Sequence, residues 1–112
     1  MEFKKLKFVG DLPDLIISGK KNTTWRVEDD KNLCVGDKIL FLRSENLTQF
    51  AVGLLTCVVE KTFGELTESD WDGHEKFLSD CEMYKTYSRY YSKDINCDSK
   101  LKIIKFRILE FM

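Results

Sequence analysis

Ile16-Ile17-Ser18-Gly19-Lys20-Lys21-Asn22-Thr23-Thr24-Trp25-Arg26-Val27 is the stretch from which the rest of the chain is read. It reads as a helix that stops at Gly19, a turn through Lys20 and Lys21, and entry into a strand. Glycine accepts the left-handed conformation that a helix C-terminus commonly needs. Side chains alternate along a strand. Asn22, Thr24 and Arg26 therefore share one face, and Thr23, Trp25 and Val27 share the other. The expectation is a polar, cationic face opposite a face that enters a core.

Upstream, Lys4 to Val9 alternates as a strand with Leu6 and Phe8 on its apolar side. Asp11, Pro13 and Asp14 suit the start of a short helix, with Leu12, Leu15 and Ile16 on one side of it. Downstream, the acidic stretch Glu28 to Asn32 reads as a solvated loop, and Val35-Gly36-Asp37 as a turn. Lys38 to Arg43 contains four consecutive apolar residues, so this strand is expected to be covered on both faces. Phe50 to Lys61 is a long strand with Gly53 as its bulge or bend, and bent long strands are what small barrels use to close. Phe63 to Gly73 reads as turns with a short helix. Phe77, Cys81, Tyr84, Ser88 and Tyr91 follow helical spacing, and Ser79 or Asp80 suits the cap. Asp94 to Ser99 is a loop. Leu101 to Glu110 is a last strand, with Ile104, Phe106 and Ile108 inward and Ile103, Lys105 and Arg107 outward. Hairpin-length links favour antiparallel pairing, and the class is α+β with a small mixed or antiparallel barrel.

The 112 residues suit one domain spanning 1–112, and 43% hydrophobic residues with a single proline exclude a disordered chain. Lys plus Arg (18) and Asp plus Glu (19) nearly cancel, giving a net charge of −1. A protein-wide basic field for nucleic acid is therefore absent, and an anion site has to be a local patch. Cys34, Cys57, Cys81 and Cys97 form no C-x-x-C pair, and His74 is the only histidine, so no metal site is expected. The first residues lack the apolar run of a secretory signal, and no run is long enough for a membrane span. The expectation is a soluble cytoplasmic protein with reduced thiols.

Three constellations carry chemistry. Lys20, Lys21, Thr24 and Arg26 form a donor-rich group suited to phosphate or to a developing oxyanion. A lysine crowded by Lys20 and Arg26 has its charged form disfavoured, which lowers its pKa toward that of a base. The plain alternative is a surface turn whose lysines suit a helix C-terminus. His74 and Glu75 offer a carboxylate partner for that lysine, or else a surface pair at a helix start. Tyr84, Tyr87, Tyr90 and Tyr91 are interleaved with Lys85 and Arg89. Tyr84 and Tyr91 read as core, while Tyr87 and Tyr90 are free to stack bases in a groove.

Taken in order, Gly19-Lys20-Lys21-x-x-Thr24-x-Arg26, Val35-Gly36-Asp37, Leu66-Thr67-Glu68, an acidic residue ahead of Phe77, an aromatic helix and Ile103-Ile104-Lys105-Phe106 resemble the ASCH domain family. The resemblance covers nearly the whole chain. It implies a PUA-like β-barrel of about five to six mostly antiparallel strands with two or three short helices. It also implies an RNA or nucleoside theme. One small single-domain bacterial branch of that family hydrolyses N4-acetylcytidine to cytidine and acetate. Its catalytic lysine and threonine match Lys21 and Thr24. Its glutamate falls at His74 without a gap and at Glu75 with a one-residue shift. The segment before the last strand is longer here than in that branch. Carried over, the catalytic set is Lys21, Thr24 and Glu75, and the ligand-binding set is Lys20, Arg26, His74 and Tyr87. The implied partner is RNA or a small modified nucleoside, with no cofactor and no membrane. A metal-independent amidohydrolase and a non-catalytic RNA-binding or interaction module using the same cleft are the two readings.

Overall fold

A computed structural model describes residues 3–29 and 31–112. Strand β1 (Lys4–Phe8) leads into helix α1 (Leu12–Ile17) and strand β2 (Thr23–Arg26), followed by β3 (Lys38–Arg43) and the long β4 (Gln49–Thr62). A 3₁₀ turn (Phe63–Glu65), α2 (Glu68–Trp71), α3 (Asp80–Tyr91) and β5 (Lys100–Phe111) complete the chain. The five strands form one sheet in the order β1-β3-β4-β5-β2. β1 runs parallel to β3, and the other three pairings are antiparallel. This is an α+β half-barrel built on a mixed, mostly antiparallel five-stranded sheet, as expected.

The edge strands β1 and β2 are the two lips of the open side. Between them the Arg26 side chain reaches across, donating from Nη2 to the Lys7 carbonyl at 2.6 Å and lying 4.8 Å over the Phe8 ring. The barrel is thus joined at this seam by a side chain rather than by a strand ladder.

Glycine sets two bends. Gly19 has φ +83, and the amides of Lys20 and Lys21 both fold back to the Leu15 carbonyl at 3.0 and 3.1 Å, ending α1. At Gly53 the β4–β5 register shifts, and a side chain there would meet the Phe41 ring at 2.5 Å. Glycine is what lets β4 bend under that ring.

Two apolar clusters fill the fold. One packs Leu6, Phe8, Ile16, Phe41, Phe50, Leu55, Ile104 and Phe106 inside the curl of the sheet. The other packs Trp25, Val27, Phe63, Met83, Tyr87, Leu101 and Ile103 beneath α3. Ile103 therefore faces a second core and not solvent, because α3 covers that side of β5. Leu33, expected only to lead into a turn, also belongs to the first cluster.

The phase of α3 differs from the expected one. Ser79 Oγ accepts the Glu82 amide at 3.1 Å, so the helix begins at Asp80 and leaves Phe77 outside it. The buried face is Met83, Thr86 and Tyr87, with Cys81 exposed. Tyr87 is only 4% exposed, whereas Tyr84 and Tyr91 are half-buried and Tyr90 is open at 47%. Of the acidic stretch after β2, Asp29 is not solvated but pairs with Lys102 at 3.1 Å, and Asp30 lies outside the described residues.

Candidate functional site

The opening stretch is more enclosed than its alternation predicts. Thr23 and Thr24 are both buried, so both faces of β2 are covered. The two lysines of the turn part company. Lys20 stays exposed, whereas Lys21 is 2% exposed. A buried ammonium needs partners to offset its lost hydration. Lys21 Nζ donates to the Thr23 carbonyl at 2.8 Å and forms a short ion pair with Glu75 Oε1.

What brings Glu75 across 54 residues of chain is a backbone clamp. The amides of Asn22 and Thr23 both donate to the Gly73 carbonyl, at 2.8 and 3.0 Å, and the Thr23 hydroxyl donates to the Asp72 carbonyl at 2.6 Å. Gly73 sits at φ +75 with the Asn22 side chain against the position a Cβ would take, so glycine is required twice over. The next two residues then lie against the start of β2.

His74 is buried rather than a surface or capping residue. Its ring stacks on Trp25 with centroids 3.8 Å apart and an interplanar angle of 18°. Burial, with the Lys21 charge adding, draws its pKa down to about 4, so it is neutral at physiological pH. For Lys21, burial is the largest influence and lowers the pKa, the Glu75 charge and hydrogen bond oppose it, and Arg26 adds to the lowering. The expected direction therefore holds, but desolvation is its main cause, and the exposed Lys20 has no part in it. Burial alone raises the Glu75 carboxyl. Lys21, His74 and the hydrogen bonds outweigh it and hold the carboxyl below its ordinary value.

Glu75 forms part of a cleft of about 210 Å³ along the seam between β1 and β2. Its walls are Lys7, Phe8, Val9 and Leu12 on one side and Thr24, Trp25 and Arg26 on the other, with Tyr87, Tyr90 and Tyr91 from α3 and Ser44 at the end. Aromatic walls with a few convergent polar groups are the usual make-up of a small-ligand site. Arg26 Nε is the one buried side-chain polar atom without a hydrogen-bond partner among the described residues. A buried donor left unpaired is costly.

The structure thus brings together Lys21, Thr24, Arg26, Glu75, His74 and Tyr87, and leaves Lys20 outside. Tyr87 stands as a buried wall and not as a free stacking surface. Between His74 and Glu75, it is Glu75 that meets Lys21. Missed from the sequence were Phe8, Trp25, Tyr91 and Gly73. The Asp72-Gly73 pair was the available signal, since it marks a tight turn, though not what that turn docks against.

No family model matches the sequence, and no curated protein matches it. Solved structures do match in shape. An ASCH domain from Lactobacillus crispatus superposes with a TM-score of 0.70 at 15% identity, over 99% of this chain and 81% of that one. The fold is that of the ASCH domains. ASCH from Zymomonas mobilis gives a TM-score of 0.63 at 17% identity, over 96% of this chain and 68% of that one. Protein EF3133 from Enterococcus faecalis, carrying the family description DUF984, gives 0.74 at 18% identity, over 100% and 84%. At these identities the likeness is one of fold, and the chemistry of this ASCH-fold chain rests on its own residues.

Proposed function

We propose that the chain hydrolyses the exocyclic amide of a small acylated nucleoside, N4-acetylcytidine, to cytidine and acetate. The observation that carries this reading is the buried Lys21 bonded to Glu75, which itself lines an aromatic cleft of about 210 Å³. A lysine is rarely buried, and a buried ion pair contributes little to stability compared with apolar residues of the same volume. Lys21 stands behind Glu75, which lines the cleft, and a charged pair with shifted pKa values there is the pattern of a working site.

In the proposed reaction the acetyl carbonyl sits near Arg26, whose guanidinium charge stabilises the oxygen as negative charge develops on it. Glu75, ionised because Lys21 and His74 favour its charged form, takes a proton from the attacking oxygen. That oxygen belongs to water or to the Thr24 hydroxyl. Lys21 holds the carboxylate in place. The C–N bond breaks, the proton passes from Glu75 to the departing N4 amine, and acetate forms on the acyl side. On the Thr24 route an acetyl ester forms first and water then cleaves it. The near-zero net charge supports a small ligand over a long RNA track, which needs many phosphate contacts.

The test is incubation of the protein with N4-acetylcytidine and chromatographic detection of cytidine. Cytidine release that disappears in Glu75→Gln supports the proposal. Absence of release, combined with salt-sensitive retention of RNA by the same protein, replaces it with the non-catalytic binding reading.

A further inference from the structure

The aromatic rings that line the cleft differ in what occupies them. Phe8, Trp25 and Tyr87 are buried members of the two apolar clusters. Their faces already have partners: Arg26 lies over Phe8, His74 is stacked on Trp25, and Tyr91 runs nearly parallel to Tyr87 at 7°. Tyr91 is half-buried, and its hydroxyl accepts the Val27 amide at 3.1 Å. Tyr90 differs from all of these. It lines the same cleft, its side chain is open, and it packs into neither apolar cluster. The fold therefore makes little use of this ring.

Its orientation is nevertheless set. Tyr90 meets Tyr87 at 82° with centroids 5.9 Å apart. An edge-to-face contact of this kind is favourable between aromatic rings, and it takes up at most one face of Tyr90. Burial raises the pKa of the Tyr90 hydroxyl, the charges of Glu75 and Asp11 add to the rise, and Arg89 opposes it. The ring thus stands between the carboxylate of the cleft and the corner where β1 turns into α1. From the β1 side Val9, 40% exposed, adds apolar surface to the same cleft. A flat ligand lying on Tyr90 removes this apolar surface from water and gains a ring–ring contact as well.

We infer that Tyr90 is the stacking face of the cleft, the residue on which the flat heteroaromatic ring of the ligand lies. The choice of an acylated ring rests on the hydrolase reading above, whereas the stacking of a ring does not. The substrate class is then an N-acyl heteroaromatic amine, with the amide directed toward Glu75 and the ring covered by Tyr90. Stacking tolerates any base, because every base has a π-face. Tyr90 accordingly recognises flatness and contributes affinity.

The test compares Tyr90→Phe, which keeps the aromatic face, with Tyr90→Leu, which replaces it by an aliphatic surface. Both are expected to keep the native denaturant midpoint, since the ring is exposed and outside the cores. Calorimetry measures the binding of cytidine, the proposed product, without any hydrolysis. The expected result is a Kd raised about tenfold in Tyr90→Leu and less than about twofold in Tyr90→Phe. On N4-acetylcytidine, KM in Tyr90→Leu rises about tenfold with kcat unchanged, as the loss of a contact made equally in the ground and transition states requires. Native affinity for cytidine in Tyr90→Leu overturns the inference, and so does a native chain that does not bind cytidine. Equal losses in the two variants also overturn it, since they assign the contact to the hydroxyl and not to the ring. Cytidine binding that weakens in Tyr90→Leu alone, with no hydrolysis of N4-acetylcytidine by the native chain, upholds the stacking face and refutes the hydrolase reading.

Discussion

The two apolar clusters of this half-barrel are built from different materials. The one inside the curl is aliphatic and phenyl, with Phe41 wholly buried among Phe8, Phe50 and Phe106 at centroid distances of 5.0, 6.1 and 4.8 Å. The one beneath α3 is made of Trp25, Tyr87 and their neighbours, which carry polar tips, and buried His74 and Lys21 lie at its margin. The first cluster does little but hold the strands together. The second holds polar groups out of water and aims them at the seam between β1 and β2. An apolar core supports the fold by area removed from water, whereas a buried polar layer is only as good as its last hydrogen bond.

The contrast can be broken from the apolar side first. Phe41→Ala removes a fully enclosed ring and is expected to cost about 4 kcal/mol, read as a lowered denaturant midpoint. A cost below about 1 kcal/mol would mean that the inner cluster is not the main support. In the polar layer, Glu75→Ala leaves Lys21 buried and unpaired, with an expected loss of about 3 kcal/mol on the same measurement.

A pH titration of stability separates the layers without mutation. His74 binds its proton with a pKa of about 4 in the folded chain against 6.5 ordinarily. Between those values the unfolded chain binds the proton and the folded chain does not, so stability falls as pH drops from 6.5 toward 4 and this contribution levels off below. The whole window is worth about 3 kcal/mol. Replacing His74 by Phe should flatten the part of the curve above pH 5, and a curve of unchanged slope would show that His74 is not buried neutral. Gly73→Ala is the smallest of these perturbations, at about 2 kcal/mol, because the alanine must adopt a positive φ and push aside Asn22. Adding Asn22→Gly should restore the part due to the clash and leave the part due to φ.

The same contrast explains which parts were legible in the sequence. The inner cluster announced itself through local pattern: Leu6 and Phe8 alternate, Ile39 to Leu42 is a continuous apolar run, and Gly53 interrupts a long strand. The order of elements along the chain and the class followed from those runs and from short links, whereas the order of strands in the sheet and the parallel pairing of β1 with β3 did not. The polar layer is made by contacts between distant residues. Lys21 looks like a surface lysine until its partner 54 residues later is seen, and nothing local to Gly73 says that β2 docks on its carbonyl. The helix phase failed for a similar reason. Ser79 caps the helix as expected, but Phe77, which matched the spacing, lies ahead of that cap, and Tyr87 is the fully buried tyrosine with Tyr84 and Tyr91 packed partly buried against the same cluster. Thr24 and Arg26 were placed on one side of the cleft by strand alternation alone, and both do line it.

The central claim is that Lys21 is buried for chemistry and not for stability, and Lys21→Met tests it most directly. Methionine matches the stem of the lysine in an apolar setting, and Glu75, with a side chain 21% exposed, regains water when its partner is gone. The account predicts that Lys21→Met unfolds within about 1 kcal/mol of the native chain while cytidine release from N4-acetylcytidine drops at least about a hundredfold. Cytidine release at the native rate from a folded Lys21→Met protein would contradict it.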